Sequence, residues 1–391
     1  MSDSDKTNQN DEQTVDNLPR LKEVRNEIDS TDLQLLELLN RRASLSLEVG
    51  KLKRGKQDVV FKPFREKEVL DNLRNNNEGP IPIEHLRSIY REIFSSSRAL
   101  QRPQRVAYLG PEGTFSFFAG IEFLGRTVDY TPQKDLDAVF RAVSNKECEL
   151  GVIPLENSLY GSVGQSFDLF MEHDLYIEAE LFCRISHSLL TCENLLADIH
   201  TVYSHPQPLG QCSHWLRATL PNAKIIPTES TAAAARRVQV EPGTAAIGHG
   251  SLANLLKLNI LAKNIEDMQD NWTRFVIVGA KPSDGEGRDK TSMLFTVPDK
   301  PGALAKILNI MAREGLNMKK LESRPMRGEK WRYVFFVDIE TNISTDEYKQ
   351  LISELRTECQ SLRILGSYPA GQYIDFTGGS DIAGIEEEPK R

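Results

Sequence analysis

The segment Gly151 to Ser158 reads GVIPLENS, a short apolar run that stops in an acid, an amide and a hydroxyl, with Gly161 and Gly164 just beyond. A strand of this composition is buried on both faces and delivers its polar end to the rim of a sheet, where open α/β folds bind small ligands. Glu156, Asn157 and Ser158 are therefore candidates for acid/base or hydrogen-bonding chemistry; an ordinary Asn/Ser turn is the competing reading. A second set is cationic. Arg42 lies on a helical stripe with Leu35, Leu38, Leu45 and Val49, and Arg25 lies between Leu21 and Ile28. A guanidinium on a core stripe is costly unless an anion meets it. Arg42 and Lys53 return to nearly the same helix face after about three turns and suit two ends of one small anion. Arg25 stands about 25 Å along the axis and about 100° around from Arg42, which assigns it to a partner chain's site in an intertwined dimer. In TVPDKPGALAKIL, Gly302 opens a helix directly after a strand, and exposed backbone N–H groups there suit a ligand carboxylate. Turn chemistry alone also explains a Pro-Gly pair.

The elements that carry these residues fall into segments with different patterns. Residues 1–18 are polar and read as a disordered tail. From Leu21 to about Lys53 apolar residues recur at helical spacing without Pro, which predicts a helix about 50 Å long. A helix that long implies a partner helix from another chain. Two shorter helices, around Arg65 to Arg74 and Ile83 to Gln101, complete an all-α domain over 19–102. It holds a local basic excess, eighteen Lys/Arg against thirteen Asp/Glu over residues 20–105.

Over 105–281, β-rich runs alternate with helical ones: Val106 to Leu109, Leu150 to Leu155, Thr201 to Ser204, Lys224 to Thr228, Ala245 to Gly248 and Arg274 to Gly279. That is the βαβ alternation of an open doubly wound sheet, long enough for two lobes with a cleft between them. A polar linker (KPSDGEGRDK) leads to a strand, helix, strand, strand, helix, strand unit over 290–368, α+β and ferredoxin-like; residues 369–391 end as an acidic tail.

Composition narrows the function. A net charge of −8 argues against nucleic acid or an anionic membrane as the main partner. With no membrane-length apolar run and a polar N-terminus, the reading is cytoplasmic. Five cysteines without a C-x-x-C pair indicate neither a disulfide frame nor a zinc site, and no metal is expected. The Gly110-x-x-Gly113 turn lacks the Lys of a Walker motif and the third Gly of a dinucleotide fingerprint, so no nucleotide is expected.

On Arg25, Asp32, LLNRR ending at Arg42, VGKLK ending at Lys53, FREKEVL with Arg65-Glu66, and SSSRALQ with Ser97 and Gln101, the helical segment resembles the all-helical chorismate mutase domain. The resemblance implies that Arg25 (from the partner), Arg42 and Ser97 hold the carboxylates of chorismate, Lys53 and Gln101 the ether oxygen, and Glu66 the ring hydroxyl, with Arg65 assisting. A pericyclic rearrangement of a dianion needs only such a clamp, without nucleophile or metal. One departure bears on the hydroxyl contact: Lys62, followed by Pro63, stands where family members often carry an acid.

The central segment resembles prephenate dehydratase on VAYLGPEGTFS, GVIPLENSLYGSV, SHPQPLGQC, the AAIG strand at Ala245, and NWTRF. The family fold is two-lobed and periplasmic-binding-protein-like, and its reaction eliminates hydroxyl and carbon dioxide without a cofactor. By resemblance Thr273 lies nearest the leaving hydroxyl, Asn157 and Gln211 polarise or position the substrate, and Glu156 and Ser204 support them. A Thr hydroxyl is a poor general acid, so hydrogen bonding to the developing hydroxide is its expected role. Arg274 is either a substrate clamp or a structural ion pair, the latter favoured, and His205 fixes a loop. TVPDKPGALAKIL with LESRPMRGEKWRYVFF resembles the ACT regulatory domain, which implies that Pro301, Gly302, Ala303, Leu304, Glu322, Ser323, Arg324 and Pro325 bind phenylalanine between paired domains.

The three resemblances occur in the order of the bifunctional chorismate mutase/prephenate dehydratase family of phenylalanine biosynthesis. They imply chorismate and prephenate as substrates, phenylalanine as feedback inhibitor, and a homodimer or higher homo-oligomer. Two rivals stand beside this reading: a prephenate or arogenate dehydratase whose helical domain only dimerises, and a non-catalytic amino-acid sensor.

Overall fold

A computed structural model describes residues 8–52, 60–282, 289–326 and 332–375. The chain divides into two units, the first formed by the N-terminal residues up to Asp58 with Ser96–Arg102, the second by Val59–Ser95 with Pro103 onward.

In the first unit, helix α1 (Asn8–Leu52) is 45 residues long and passes through Pro19. It begins inside the stretch expected to be a tail; that stretch is polar but holds no Gly and no Pro before Pro19, so nothing local stops the helix. The apolar residues that define its periodicity are largely exposed among the described residues. Leu33, Leu35, Leu36, Leu38 and Leu45 are each more than half exposed. Arg25 is likewise exposed, whereas Arg42 is half-buried.

The second unit contains α2 (Pro63–Asn76) and most of α3 (Ile83–Gln101), then two sheets in succession. The first sheet is built from β1 (Arg105–Leu109), α4 (Phe115–Leu124), β2 (Asp129–Gln133), α5 (Leu136–Ser144), β3 (Leu150–Asn157), the short β4 (Gly161–Ser162), α6 (Gly164–Glu172) and β5 (Tyr176–Arg184). The second sheet takes β6 (Ser188–Thr191), β7 (Thr201–Ser204), α7 (Pro206–Gln211), α8 (Ser213–Thr219), β8 (Lys224–Pro227), α9 (Thr231–Val238), β9 (Thr244–Gly248), α10 (Ser251–Leu256) and β10 (Asn259–Ala262). The chain then returns to the first sheet as β11 (Trp272–Gly279). Helix starts follow side-chain caps: Thr114 accepts from Phe117 N, Asp135 from Ala138 N and Ser230 from Ala233 N.

The first sheet runs β2-β1-β3-β11-β5. It is mixed rather than wholly parallel, because β11 pairs antiparallel with both β3 and β5. The second runs β10-β6-β9-β7-β8. The chain thus changes sheet twice, over 185–187 and 263–271. These two crossovers lie side by side: Ile265 N donates to His187 O at 3.0 Å, Glu266 accepts from His187 N at 2.8 Å, and Ile185 N donates to Asn271 O at 2.7 Å.

The C-terminal segment comprises β12 (Lys290–Thr296), α11 (Ala303–Arg313), β13 (Met318–Pro325), β14 (Tyr333–Ile339), α12 (Lys349–Glu358) and β15 (Ser361–Tyr368). Its antiparallel sheet, β13-β14-β12-β15, has two faces set by the period of two. Met293, Phe295, Val337 and Ile339 pack under the two helices, while Leu294, Val334, Phe336 and Tyr368 join a core with residues of α5 and α6. Part of the expected tail is ordered as β16 (Gln372–Ile374), which pairs parallel with β5 at the edge of the first sheet.

Candidate active and regulatory sites

Asn157 and Thr273 are directly opposite each other on β3 and β11. The amide Nδ2 donates to Thr273 Oγ1 at 3.0 Å and to Asn271 Oδ1 at 2.7 Å, while Oδ1 accepts from Leu159 N and Tyr160 N, both at 3.0 Å. Backbone N–H groups only donate, so they settle which end of the amide is oxygen. With two protons and two lone pairs in use, Asn157 holds Thr273 and has no capacity left for a substrate. Thr273 accepts from Asn157, which leaves its own proton to be donated elsewhere. Ser158 Oγ donates to Asp270 O at 3.3 Å and accepts from Trp272 N at 2.9 Å, closing the same strand ends.

Gln211 ends α7 beside the crossovers, where Asp267 N donates to its carbonyl at 2.7 Å. Its Oε1 is 2.7 Å from His187 Nε2, and the residue is 9% exposed. Ser204, at the end of β7, is fully buried and donates to Ile247 O at 2.6 Å, so it braces the second sheet and presents no free proton to the cleft. His205 caps α7, its Nδ1 accepting from Gln207 N at 3.3 Å, as expected of a loop-fixing residue.

Glu156 is placed differently from its expectation beside Asn157. Neighbours on a strand point to opposite faces, and Glu156 meets Lys320 of β13 at 2.6 Å and lies 3.9 Å from Arg274. Lys320 also reaches Ser162 at 2.9 Å and Glu322 at 3.2 Å, and Ser162 donates to Glu322. Arg324 pairs with Asp168 at 3.5 Å, and its guanidinium lies where a Cβ on Gly164 would stand. Arg274 is 3% exposed and holds Glu180 at 2.7 Å, Asp338 at 2.5 Å and Tyr368 Oη at 3.0 Å. Lys290 meets the same two carboxylates at 2.9 and 3.3 Å. Burial alone would lower the Arg274 pKa, but Glu180, Tyr368 and Asp338 hold it well above the ordinary value. Arg274 is thus a structural ion pair joining β11 to the C-terminal sheet.

The residues expected to bind phenylalanine divide by face. Gly302 adopts a left-handed φ of +81°, which only glycine takes readily, and Pro301 and Gly302 are exposed with Ala303 and Leu304 half-buried. Along β13, Ser323 and Pro325 are exposed, whereas Glu322 and Arg324 turn inward, to Ser162 and Asp168.

In the first unit, Arg42 Nη1 donates to Ser97 Oγ, and Gln101 packs on Gly50, where an added Cβ would lie 3.1 Å from its Cγ. Lys53 lies outside the described residues. In the second unit, Arg65 is exposed and pairs with Glu68 at 2.7 Å. Glu66 lines a cleft of about 1120 Å³ with Lys67, Arg87, Arg91, Trp272 and Tyr373; Asn157, Gln211 and Thr273 do not line it. Among the described residues no cluster of His, Cys, Asp and Glu could hold a metal ion, and no helix is long and apolar enough to cross a membrane. His187, which meets Gln211, carries no signal in the sequence: a lone His before an apolar strand has no diagnostic spacing.

Comparison with known proteins gives the same order of parts. The family described as chorismate mutase type II matches residues 24–102, prephenate dehydratase matches 106–283, and the ACT domain matches 291–357. A bifunctional chorismate mutase/prephenate dehydratase of Aquifex aeolicus is 40% identical over 356 residues, 90% of this chain and 98% of the relative. One from Pseudomonas aeruginosa has the same identity and coverage. Among solved structures, the prephenate dehydratase of Arthrobacter aurescens in complex with L-Phe is 30% identical, with a TM-score of 0.62 over 68% of this chain and 90% of that one. The chain therefore belongs to the bifunctional chorismate mutase/prephenate dehydratase family, with a helical mutase domain, a dehydratase domain and an ACT domain in that order.

Proposed function

We propose that this chain isomerises chorismate to prephenate in its helical domain and converts prephenate to phenylpyruvate in the dehydratase domain, under inhibition by phenylalanine at the ACT domain. The observation that carries the reading is the Asn157 to Thr273 hydrogen bond. In the elimination the bond to the ring carboxylate breaks, its electron pair enters the ring, and the ring hydroxyl leaves as hydroxide, which takes a proton from solvent to become water. The departing oxygen is the electron sink, so the protein supplies hydrogen-bond donation and orientation. Thr273, accepting from Asn157, donates a hydrogen bond to that oxygen, and accepting one hydrogen bond strengthens the one donated. The Gln211 amide orients a substrate carboxylate. Ser204 supports the second sheet behind it, and Glu156 serves the contact with the ACT domain.

In the helical domain Arg42 and Ser97 hold a carboxylate of chorismate, with Gln101 at the ether oxygen. The exposed Leu33 to Leu45 stripe of α1 supports a homodimer in which a second copy covers it and contributes Arg25. In the ferredoxin-like ACT domain, Pro301, Gly302, Ala303 and Leu304 bind phenylalanine with the outward Ser323 and Pro325. Glu322 and Arg324 carry its effect inward.

The test supplies chorismate or prephenate to the full chain and follows phenylpyruvate with and without phenylalanine. The Thr273→Ala chain is expected to form prephenate at the unaltered rate and almost no phenylpyruvate. Phenylpyruvate formation near the unaltered rate would remove Thr273 from the mechanism.

A further inference from the structure

His187 occupies the first crossover between the two sheets, and its backbone is fixed on both sides by Ile265 and Glu266. The ring is 1% exposed, and its partner in the hydrogen-bond network is Gln211 Oε1 at 2.7 Å. Phe115 meets the ring edge-on with centroids 5.7 Å apart, and meets His249 likewise at 5.3 Å. The wall that holds His187 thus includes the Phe of the GTFS motif.

The proton on this ring can be placed. His187 Nδ1 is buried without a hydrogen-bond partner. A neutral ring with its proton on Nδ1 would bury an unpaired N–H, whereas a proton on Nε2 is donated to Gln211 Oε1 and leaves only a lone pair unmet. Burial keeps the ring neutral by pushing its pKa down to about 4, against a smaller opposing effect of the Gln211 bond. Once Oε1 is taken by His187, the Gln211 amide cannot turn over. Its Nε2 then faces away from His187, and among the described residues it donates to nothing.

We propose that His187 is a positioning residue for the dehydratase reaction: its Nε2–H fixes the Gln211 amide so that the NH₂ group is presented to a carboxylate of the substrate. The inference rests on the placement of Gln211 in the dehydratase site. It requires no proton transfer by His187.

The test uses the full chain and prephenate. His187→Leu removes the donor and frees the amide to turn; kcat/KM is expected to fall about tenfold or more, chiefly through KM. His187→Gln, whose own amide nitrogen reaches near the Nε2 position, is expected to recover most of that loss and also controls for a failure of His187→Leu to fold. In a Gln211→Ala background, His187→Leu is expected to cost little more, because the group it positions is gone. Gln211→Ala with unaltered kcat/KM would instead overturn the site assignment of Gln211 itself. If Gln211→Ala is impaired while His187→Leu is not, or if the two losses multiply, the positioning role is wrong.

Discussion

Asn157 donates to Thr273 Oγ1 across the β3–β11 pair at 3.0 Å, and the rest of the Asn157 amide is committed to Asn271, Leu159 and Tyr160. This sets the direction of the Thr273 hydroxyl. Asn157→Asp exchanges the two donors for acceptors of similar shape, so the hydroxyl would turn its proton inward to the new carboxylate. We expect kcat for prephenate to fall by about 10²- to 10³-fold with a smaller change in KM, the signature of an interaction made in the transition state. Steady-state kinetics measure it; a kcat within about threefold of the unaltered chain would show that the orientation of Thr273 is immaterial.

The alternation of β13 turns Ser323 and Pro325 outward and Glu322 and Arg324 inward, so an effector on the outer face would be felt through the inner one. Glu322 meets Ser162 and Lys320, and Lys320 meets Glu156, which adjoins Asn157. Glu322→Gln keeps the shape and removes the charge that Lys320 bridges. Phenylalanine affinity by calorimetry should stay within about twofold, while the maximal inhibition of dehydration weakens. Loss of affinity in proportion to the loss of inhibition would return Glu322 to the ligand site.

Arg274 has the same two-sided logic in the core. Arg274→Met strands Glu180 and Asp338, which Lys290 alone cannot satisfy in the geometry of a guanidinium. Breaking a buried pair on one side costs about 3–5 kcal/mol, so urea unfolding should shift by that order. A shift below about 1 kcal/mol would mean that solvent reaches the network.

What the sequence made legible depended on whether a residue's role was local. GVIPLENS, SHPQPLGQC and NWTRF each carry strand-end signals, and the strands they belong to lie where the alternation of runs put them. Strand β5 was missed because Glu178 and Glu180 interrupt YIEAELFCR; Glu180 is buried there only because Arg274 and Lys290 come to it from distant segments. Glu156 was read beside Asn157 because sequence adjacency says nothing about which face meets which domain. Strand period would have separated the two faces, but not named Lys320 as the partner. The α1 stripe is legible as apolar, and the length of the helix already points to cover from a second chain.

That exposed stripe gives a test of assembly. If Arg25 serves the partner's site, chains carrying Arg25→Ala and chains carrying Arg42→Ala should each lack mutase activity. Refolded together in equal amounts, they should recover about a quarter of it, since half the dimers are mixed and each mixed dimer has one intact site. No recovery in dimers verified as mixed would place Arg25 and Arg42 in the same chain's site.

The buried histidines predict a stability profile. Burial pushes His187 down to about 4 and His249 to about 3, the latter also through its proximity to His187. Unfolded, each titrates near 6.5. Below about pH 6.5 the unfolded chain binds protons that the folded chain excludes, so stability falls with falling pH by about 1.4 kcal/mol per unit for each ring, until each folded pKa is reached. Glu266, pushed up by burial, acts in the opposite sense as it gains its proton in the folded state. Asp338 is held below the usual carboxylate range because Arg274 and Lys290 outweigh its burial, so its contribution is lost only at more acid pH. His187→Gln retains an amide donor and cannot titrate. Between about pH 6 and pH 5 its urea-unfolding free energy should fall less steeply by roughly one proton's worth. An unchanged slope would mean that His187 accepts a proton in the folded chain as readily as in the unfolded one, and would contradict its burial as a neutral donor.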